Sequence, residues 1–412
     1  MYSSERVDPQ KLFAPVRQTL TGRLAPGEPL VTAIDDTCLR KSGRKTHGVK
    51  YTRDPLGPAF HINFIKAQRF VQLSMASPAD NGMARMIPID FVHAPSPKKP
   101  PAQADAEVHV QFRKAKRDMA LPKVAADRLL FLREKMDQDG ERGRPLWSVV
   151  DGGYTNRTFL KSLPQRTMAV GRIRADAKLY HLPEPSQGKP GRNRVYGRRA
   201  PTPEELRQDT SIPWTRVEVF AAGKTHQFKI KTLSPLRWRS AGKEHDLRLI
   251  VIAPLGYRLT KQSRLLYRKA AYLICTNPDA SLQQVLQAYV WRWDIEVNFR
   301  DEKTLLGIGQ AQVRNEHSVE NVPALAVAAY AMLLTSATQA YGPTGKPDVL
   351  PTPKWRRKKS LRASTQSLIN HLRHEVWARS IRSSSFVSQH VPFTKPEKLD
   401  PSLEGALFYA TG

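Results

Sequence analysis

Four residues in one short stretch pose the chemical question. In YVWRWDIEVNFRDEK, Tyr289, Arg292, Glu296 and Lys303 fall at relative positions 0, 3, 7 and 14. At roughly 100° per residue of α-helix, these offsets point to about 0°, −60°, −20° and −40°, so one unbroken helix would carry all four side chains on a narrow stripe. A salt-bridge ladder explains the charges, because Arg292 and Arg300 each lie four residues from Glu296. It does not explain why Tyr289 and Lys303 keep the same azimuth across four turns. A phosphate ester would suit the set better: Arg292 grips a phosphate with two donors, Lys303 supplies a point charge, and Tyr289 donates to a phosphate or stacks on a base.

Two more acidic positions stand where a scaffold would display them. PLVTAIDDT ends a strand pattern at Asp35 and Asp36, and RPLWSVVDGG ends another at Asp151. Each alone reads as a turn signal. Together with Glu296 they read as carboxylates converging from separate elements, which repel one another unless hard divalent cations lie between them. Two Mg²⁺ ions about 3.5–4 Å apart activate a hydroxyl on one side of a phosphate and stabilise the leaving oxygen on the other. Period-two alternation sets Asp35 on the face of Val31 and Ala33 and Asp36 on that of Ile34, which leaves open which aspartate faces the metals.

The charge names the partner. Lys and Arg number 66 against 37 Asp and Glu, a formal excess of +29 over 412 residues. Such an excess repels itself unless a polyanion is near, so DNA or RNA is the leading partner. Paired carboxylates working on a neutral glycan would explain two acids but neither this charge nor the cationic stripe. Cys38 and Cys275 are far apart, without zinc-finger spacing, which argues against a disulfide framework and fits a reducing cytoplasm. Residues 321–345 contain no Asp, Glu, Lys or Arg. Their Ala, Ser, Thr and Gln content and Pro323 read as a buried helix rather than a membrane span.

The elements that must position these residues follow from pattern. PLVTAIDDT is the first strand, and FHINFIKAQRFVQLSM reads as two more with a short turn between them. KVAADRLLFLREKMDQDG, with Val124, Leu129, Leu130 and Leu132 at helical spacing, is a helix ending at Gly. RPLWSVV and RTMAVGRI are further strands around a short helix. The order strand, strand, strand, helix, strand, helix, strand is that of the ribonuclease-H-like α/β fold, a mixed five-stranded sheet flanked by helices with first and fourth strands adjacent.

The expected organisation is a short N-terminal segment over 1–25, the first part of the core over 26–174, and a basic loop and β-rich insertion over 175–278. The catalytic helix and end of the core span 279–345, and a basic tail spans 346–412. Asp279 or Ser281 would cap the catalytic helix. Arg194 and Arg198 in the loop and Arg356 and Lys358 in the tail have the composition of phosphate-tracking surfaces.

The spacing Tyr289-x2-Arg292-x3-Glu296-x6-Lys303 resembles the Tyr-Arg-Glu-Lys signature of bacterial insertion-sequence transposases of the DDE superfamily. AIDDTCLRKSGRK and VVDGGYTN are similar to the segments carrying that family's first two catalytic aspartates. The resemblance spans about residues 30 to 340. It implies that Asp36, Asp151 and Glu296 hold two Mg²⁺, with Mn²⁺ able to substitute, and that Tyr289, Arg292 and Lys303 contact DNA. Asp36 is preferred to Asp35 because it precedes Thr37. Trp238 resembles by position an aromatic that stabilises a distorted transposon end. The resemblance further implies double-stranded DNA substrates, both element ends and target, handled by a homodimer in the bacterial cytoplasm near the nucleoid. The family commonly carries an end-recognition domain before the first aspartate, and the 35 residues preceding Asp36 are too few for it. A decayed transposase that binds DNA without cutting it is the alternative expectation.

Overall fold

The computed structural model describes residues 4, 6–43, 45–54, 57–58, 60–184, 193–260, 262–346 and 361–383. Helix α1 (Gln10–Thr21) precedes β1 (Leu30–Arg40), β2 (Lys50–Arg53), β3 (Phe64–Pro78) and β4 (Ala84–His93). Helices α2 (Ala106–Asp118) and α3 (Leu121–Gln138) follow, then β5 (Leu146–Val150), α4 (Arg157–Leu160) and β6 (Thr167–Arg172). The next part holds β7 (Leu179–His181), α5 (Pro203–Gln208), β8 (Thr215–Ala221), β9 (Lys224–Trp238), β10 (Gly242–Ile252), β11 (Gly256–Tyr257), β12 (Leu266–Tyr267) and β13 (Ala271–Cys275). Helices α6 (Leu282–Trp291), α7 (Asp294–Thr304), α8 (Glu316–Tyr341) and α9 (Thr365–Ser383) complete the described chain.

One mixed sheet organises these elements in the order β2-β3-β1-β5-β6-β13-β10-β9-β7, with β4 on β3 and β8 on β9. β1 pairs antiparallel with β3 and parallel with β5, and β5 pairs parallel with β6. The β4-β3-β1-β5-β6 portion is the ribonuclease-H-like arrangement expected from sequence, with its first and fourth strands side by side. Alternation along the central strands divides the core. Leu30, Ile34, Leu146 and Val150 join Phe13, Leu129, Phe159 and Val327 of α1, α3, α4 and α8 on one face. Val31, Ala33, Val149 and Val170 join Val285, Leu286, Ile295 and Phe299 of α6 and α7 on the other.

Four expectations are corrected. The stretch from Phe60 to Met75 is not two strands: β3 runs unbroken from Phe64, and its hairpin partner is β4. Pro88 hides β4 from a pattern reading, because proline cannot donate to a ladder. The structure accommodates it where the β3–β4 register shifts, with Leu73 opposite Asp90 and Ser74 opposite Pro88. β1 does not end at Asp35 and Asp36 but runs on to Arg40, paired with β3 along the way. The strands of the 175–278 region extend the core sheet, since β13 pairs with β6 and β10 with β13.

The fourth correction concerns the signature helix, which is two helices meeting at Arg292 and Trp293. Both residues keep right-handed helical angles, and Ile295 N–H bonds to Arg292 C=O at 3.1 Å and Glu296 N–H to Trp293 C=O at 3.2 Å. These three-residue bonds wind the chain more tightly than an α-helix, so a uniform 100° step does not apply across the junction. Ser281 is the N-cap of α6, without a side-chain cap bond. Helix α8 is buried along much of its length, as expected from 321–345. Among the described helices it is the one long and apolar enough to cross a membrane, and its packing against α1 and β4 accounts for that composition.

Candidate active site

The β1–β5 ladder ends with Ile34 opposite Val150. One residue further along both strands come Asp35 and Asp151, which therefore stand at the same level of adjacent parallel strands. They follow Ala33 and Val149, so alternation directs them toward the face covered by α6 and α7. Asp35 lies deep, and burial, followed by repulsion from Asp151, pushes its carboxyl up to about 7. Its Oδ1 accepts the Asp36 backbone N–H at 2.8 Å, and its Oδ2 lies 3.4 Å from Arg292 Nη1.

Asp36 looks the other way. Its Oδ1 accepts the Tyr154 hydroxyl at 2.8 Å, and its Oδ2 lies 2.9 Å from Arg69 Nε, close enough for an ion pair though not aligned as a hydrogen bond. Burial raises the Asp36 carboxyl above its usual range, Arg69 and Tyr154 offset part of that rise, and Lys303 also lowers it. Tyr154 is itself raised by burial and then by Asp36. The residue preferred from sequence is thus held by two protein partners, while its neighbour stands beside Asp151 and Arg292.

Local chemistry shapes the Asp151 turn. Asp151 Oδ1 accepts the backbone N–H of Gly153 at 2.8 Å and of Tyr154 at 3.2 Å. A Cβ on Gly153 would come within 3.2 Å of that oxygen. The chain then enters α4, capped by Asn156, whose side-chain oxygen accepts the Thr158 N–H at 3.0 Å. Gly171 of β6, opposite Val150, leaves room for Thr155, since a Cβ there would lie 2.2 Å from Thr155 Oγ1.

At the α6–α7 junction, Arg292 is buried and Tyr289 half-buried, with the guanidinium 5.9 Å from the phenol ring centre. The Arg292 Nε has no hydrogen-bond partner. Glu296 is exposed in the first turn of α7. Lys303 is half-buried; burial lowers its ammonium, and Cys38, Glu302 and Glu296 counteract this. Lys303 is thus within electrostatic reach of Glu296 and Asp36.

Two candidates lie elsewhere. Trp238 pairs with Leu179 and Gly242 and packs on the core. Its strand is five strand spacings from β1, roughly 24 Å at about 4.8 Å each. Arg194 and Arg198 are exposed on the return segment beside β7, where Arg198 C=O accepts the His181 N–H at 3.0 Å. Arg356 and Lys358 lie outside the described residues.

Sequence reasoning missed Tyr154 and Arg69. Tyr154 stands three residues after Asp151, and its position in VVDGGYTN was the available signal. Arg69 has no local signal, because only the β1–β3 register, Cys38 opposite Arg69, carries it to Asp36.

Carboxylates side by side where the parallel β1–β5 ladder of a ribonuclease-H-like sheet ends, in a chain of this charge, define a class of metal-dependent enzymes acting on nucleic-acid phosphates. A family model described as DDE superfamily endonuclease matches residues 2–244, more than half of the chain, and the protein belongs to that family. The match includes both aspartate segments and ends before the helices that carry Arg292 and Glu296. No curated protein matches the chain. Membership implies a nuclease or transposase type of activity on DNA, supported by divalent metal.

Proposed function

We propose that the protein is a DNA transposase that cuts element ends and joins the resulting 3′-OH to target DNA, with Asp35, Asp151 and Glu296 as its metal-holding carboxylates. The carrying observation is the level placement of Asp35 and Asp151 on adjacent strands, with Arg292 from the α6–α7 junction reaching Asp35. This differs from the sequence preference for Asp36, whose oxygens are taken up by Tyr154 and Arg69.

The donor set fits hard cations. Asp151 helps to raise the proton affinity of Asp35, and a divalent ion would relieve that repulsion with the oxygen ligands Mg²⁺ prefers. A pair of Mg²⁺ held there would activate the attacking hydroxyl and stabilise the leaving oxygen. The protein's own groups do the positioning. Asp36 holds Tyr154 and Arg69 behind the metal-facing carboxylate, Arg292 reaches Asp35 from the α6–α7 junction, and Lys303 offers a second positive charge further along α7. Tyr289 stands where it can stack or donate to the same strand. Cutting both ends of an element in concert requires two such sites, so a dimer on DNA belongs to this reading.

The test is nicking and joining of double-stranded DNA bearing the terminal repeats that flank the gene, with Mg²⁺ or Mn²⁺. Metal-dependent nicking that disappears in Glu296→Ala supports the proposal. Tight, salt-sensitive DNA binding with no metal-dependent cleavage would replace it with a non-catalytic binding role.

A further inference from the structure

A second cluster of donors lies apart from Asp35 and Asp151. His47 belongs to the loop between β1 and β2, His93 ends β4, and Glu320 lies in the first turns of α8. One donor atom from each lies within 4.8 Å of the others, the one such group of three among the described residues. His93 Nδ1 stands 3.3 Å from Glu320 Oε1, and His47 Nε2 stands 3.3 Å from Glu316 Oε1. Charge-assisted hydrogen bonds close to about 2.7–2.9 Å. Two donors sharing a tetrahedral Zn²⁺, each about 2.0–2.1 Å from the metal, stand roughly 3.3 Å apart.

The surroundings orient the ligands. The His93 ring is 1% exposed and packs on Phe70, with centroids 4.9 Å apart. Gly48, at φ +68°, presses the loop backbone against its other edge, where a Cβ would lie 2.2 Å from Cε1 and 2.5 Å from Nε2. That contact leaves Nδ1 as the nitrogen facing Glu320. Gln68 Nε2 donates to His47 C=O at 2.7 Å, and Lys41 Nζ donates to Gly309 C=O at 2.9 Å and Ala311 C=O at 2.8 Å. The loop is therefore held to β3 and to the α7–α8 connection before any ion arrives.

We propose that His47, His93 and Glu320, with water in the fourth position, bind a Zn²⁺ that fastens the β1–β2 loop to the start of α8. Two imidazoles with a carboxylate suit Zn²⁺, whereas Mg²⁺ prefers oxygen ligands. The site does not depend on whether Asp35 or Asp36 holds the catalytic ions. It stabilises the element that follows the Asp35–Asp36 strand.

Full-length protein is stripped with a chelator and titrated with Zn²⁺ in excess Mg²⁺, which occupies oxygen-only sites. One Zn²⁺ per chain, a rise in Tm and the visible absorption of tetrahedral Co²⁺ on substitution are expected. His47→Ala and Glu320→Gln, both at partly exposed positions, retain the circular dichroism of the parent and lose roughly 100-fold or more in Zn²⁺ affinity. Unchanged Zn²⁺ binding in the double variant overturns the proposal. So does a parent chain that takes up no Zn²⁺ below about 0.1 mM, or one whose Co²⁺ form lacks the tetrahedral spectrum.

Discussion

Arg362 grips Asp294 through both guanidinium nitrogens, with Nη1 3.0 Å from Oδ2 and Nη2 on Oδ1. Asp294 opens α7, and the same Oδ2 accepts the Met86 N–H at 2.9 Å. Arg362 Nη1 also donates to Ala84 C=O at 3.1 Å, and nearby Thr365 Oγ1 donates to Asp301 Oδ2 at 2.6 Å. The segment leading into α9 thus clamps the helix that carries Glu296 onto β4. Asp294→Asn, which removes the carboxylate charge that this guanidinium grips, should lower unfolding free energy by about 2–4 kcal/mol in urea titrations. DNA cleavage should fall with it.

The two neighbouring aspartates should separate by function. Asp35→Asn and Asp151→Asn are expected to abolish metal-dependent nicking, a loss of about 10³-fold or more. Asp36→Asn should leave measurable nicking. A gel assay on end-containing DNA decides it, and equal loss at Asp35 and Asp36 would count against the separate roles.

Tyr154→Phe removes the 2.8 Å hydroxyl donated to Asp36. The buried carboxylate would keep Arg69 but lose a donor, at an expected cost of about 1–3 kcal/mol in thermal or chemical unfolding.

Glu302 supplies a pH test of stability. It is fully buried, neither oxygen has a well-formed hydrogen bond, and burial pushes its carboxyl up to about 8 despite Gln72 and Lys303 nearby. The fold therefore prefers the protonated acid. This contribution is complete below the ordinary carboxylate value of 4.5 and is lost as pH rises through about 8. Glu302→Gln should match the parent in acid, exceed it at alkaline pH by on the order of a few kcal/mol, and flatten Tm across that window.

DNA affinity should depend steeply on salt. With a net charge of +29, binding measured by fluorescence anisotropy is expected to weaken by about 10³-fold or more between about 50 and 200 mM salt. A shallow slope would mean that few phosphates are contacted.

The first and fourth core strands and the two aspartate segments were legible because each rests on local pattern. Apolar residues through Ile34 and Val150 mark a strand wherever they occur, and Asp-Gly-Gly marks where β5 stops, whereas nothing local shows that β1 runs past Asp36 to Arg40. β4 was hidden because one proline outweighed its apolar run, and only the register shift opposite Leu73 and Ser74 explains how Pro88 is tolerated. Helix α2 was hidden for the opposite reason: none of its residues is buried, so it carries no core-facing stripe to read. The partners of Asp36 depend on Arg69, more than thirty residues away along the chain and set by strand pairing. The choice between Asp35 and Asp36 is likewise a matter of register with β5, a relation between strands that no single strand encodes.

The tight turn at Arg292 and Trp293 works as a phase-setting crank between two shafts. Tyr289 turns with α6, Glu296 and Lys303 turn with α7, and the two intervening residues fix the angle between them. One residue inserted there would swing the whole of α7 by roughly 100° relative to α6, so that Glu296 could keep its direction only if Ile295 and Phe299 left the core. Lengthening the same chain by one residue within the exposed α2 would change no such phase. The spacing of the four signature residues is therefore a timing constraint on two rigid parts, and the gap between Arg292 and Glu296 is its least tolerant interval.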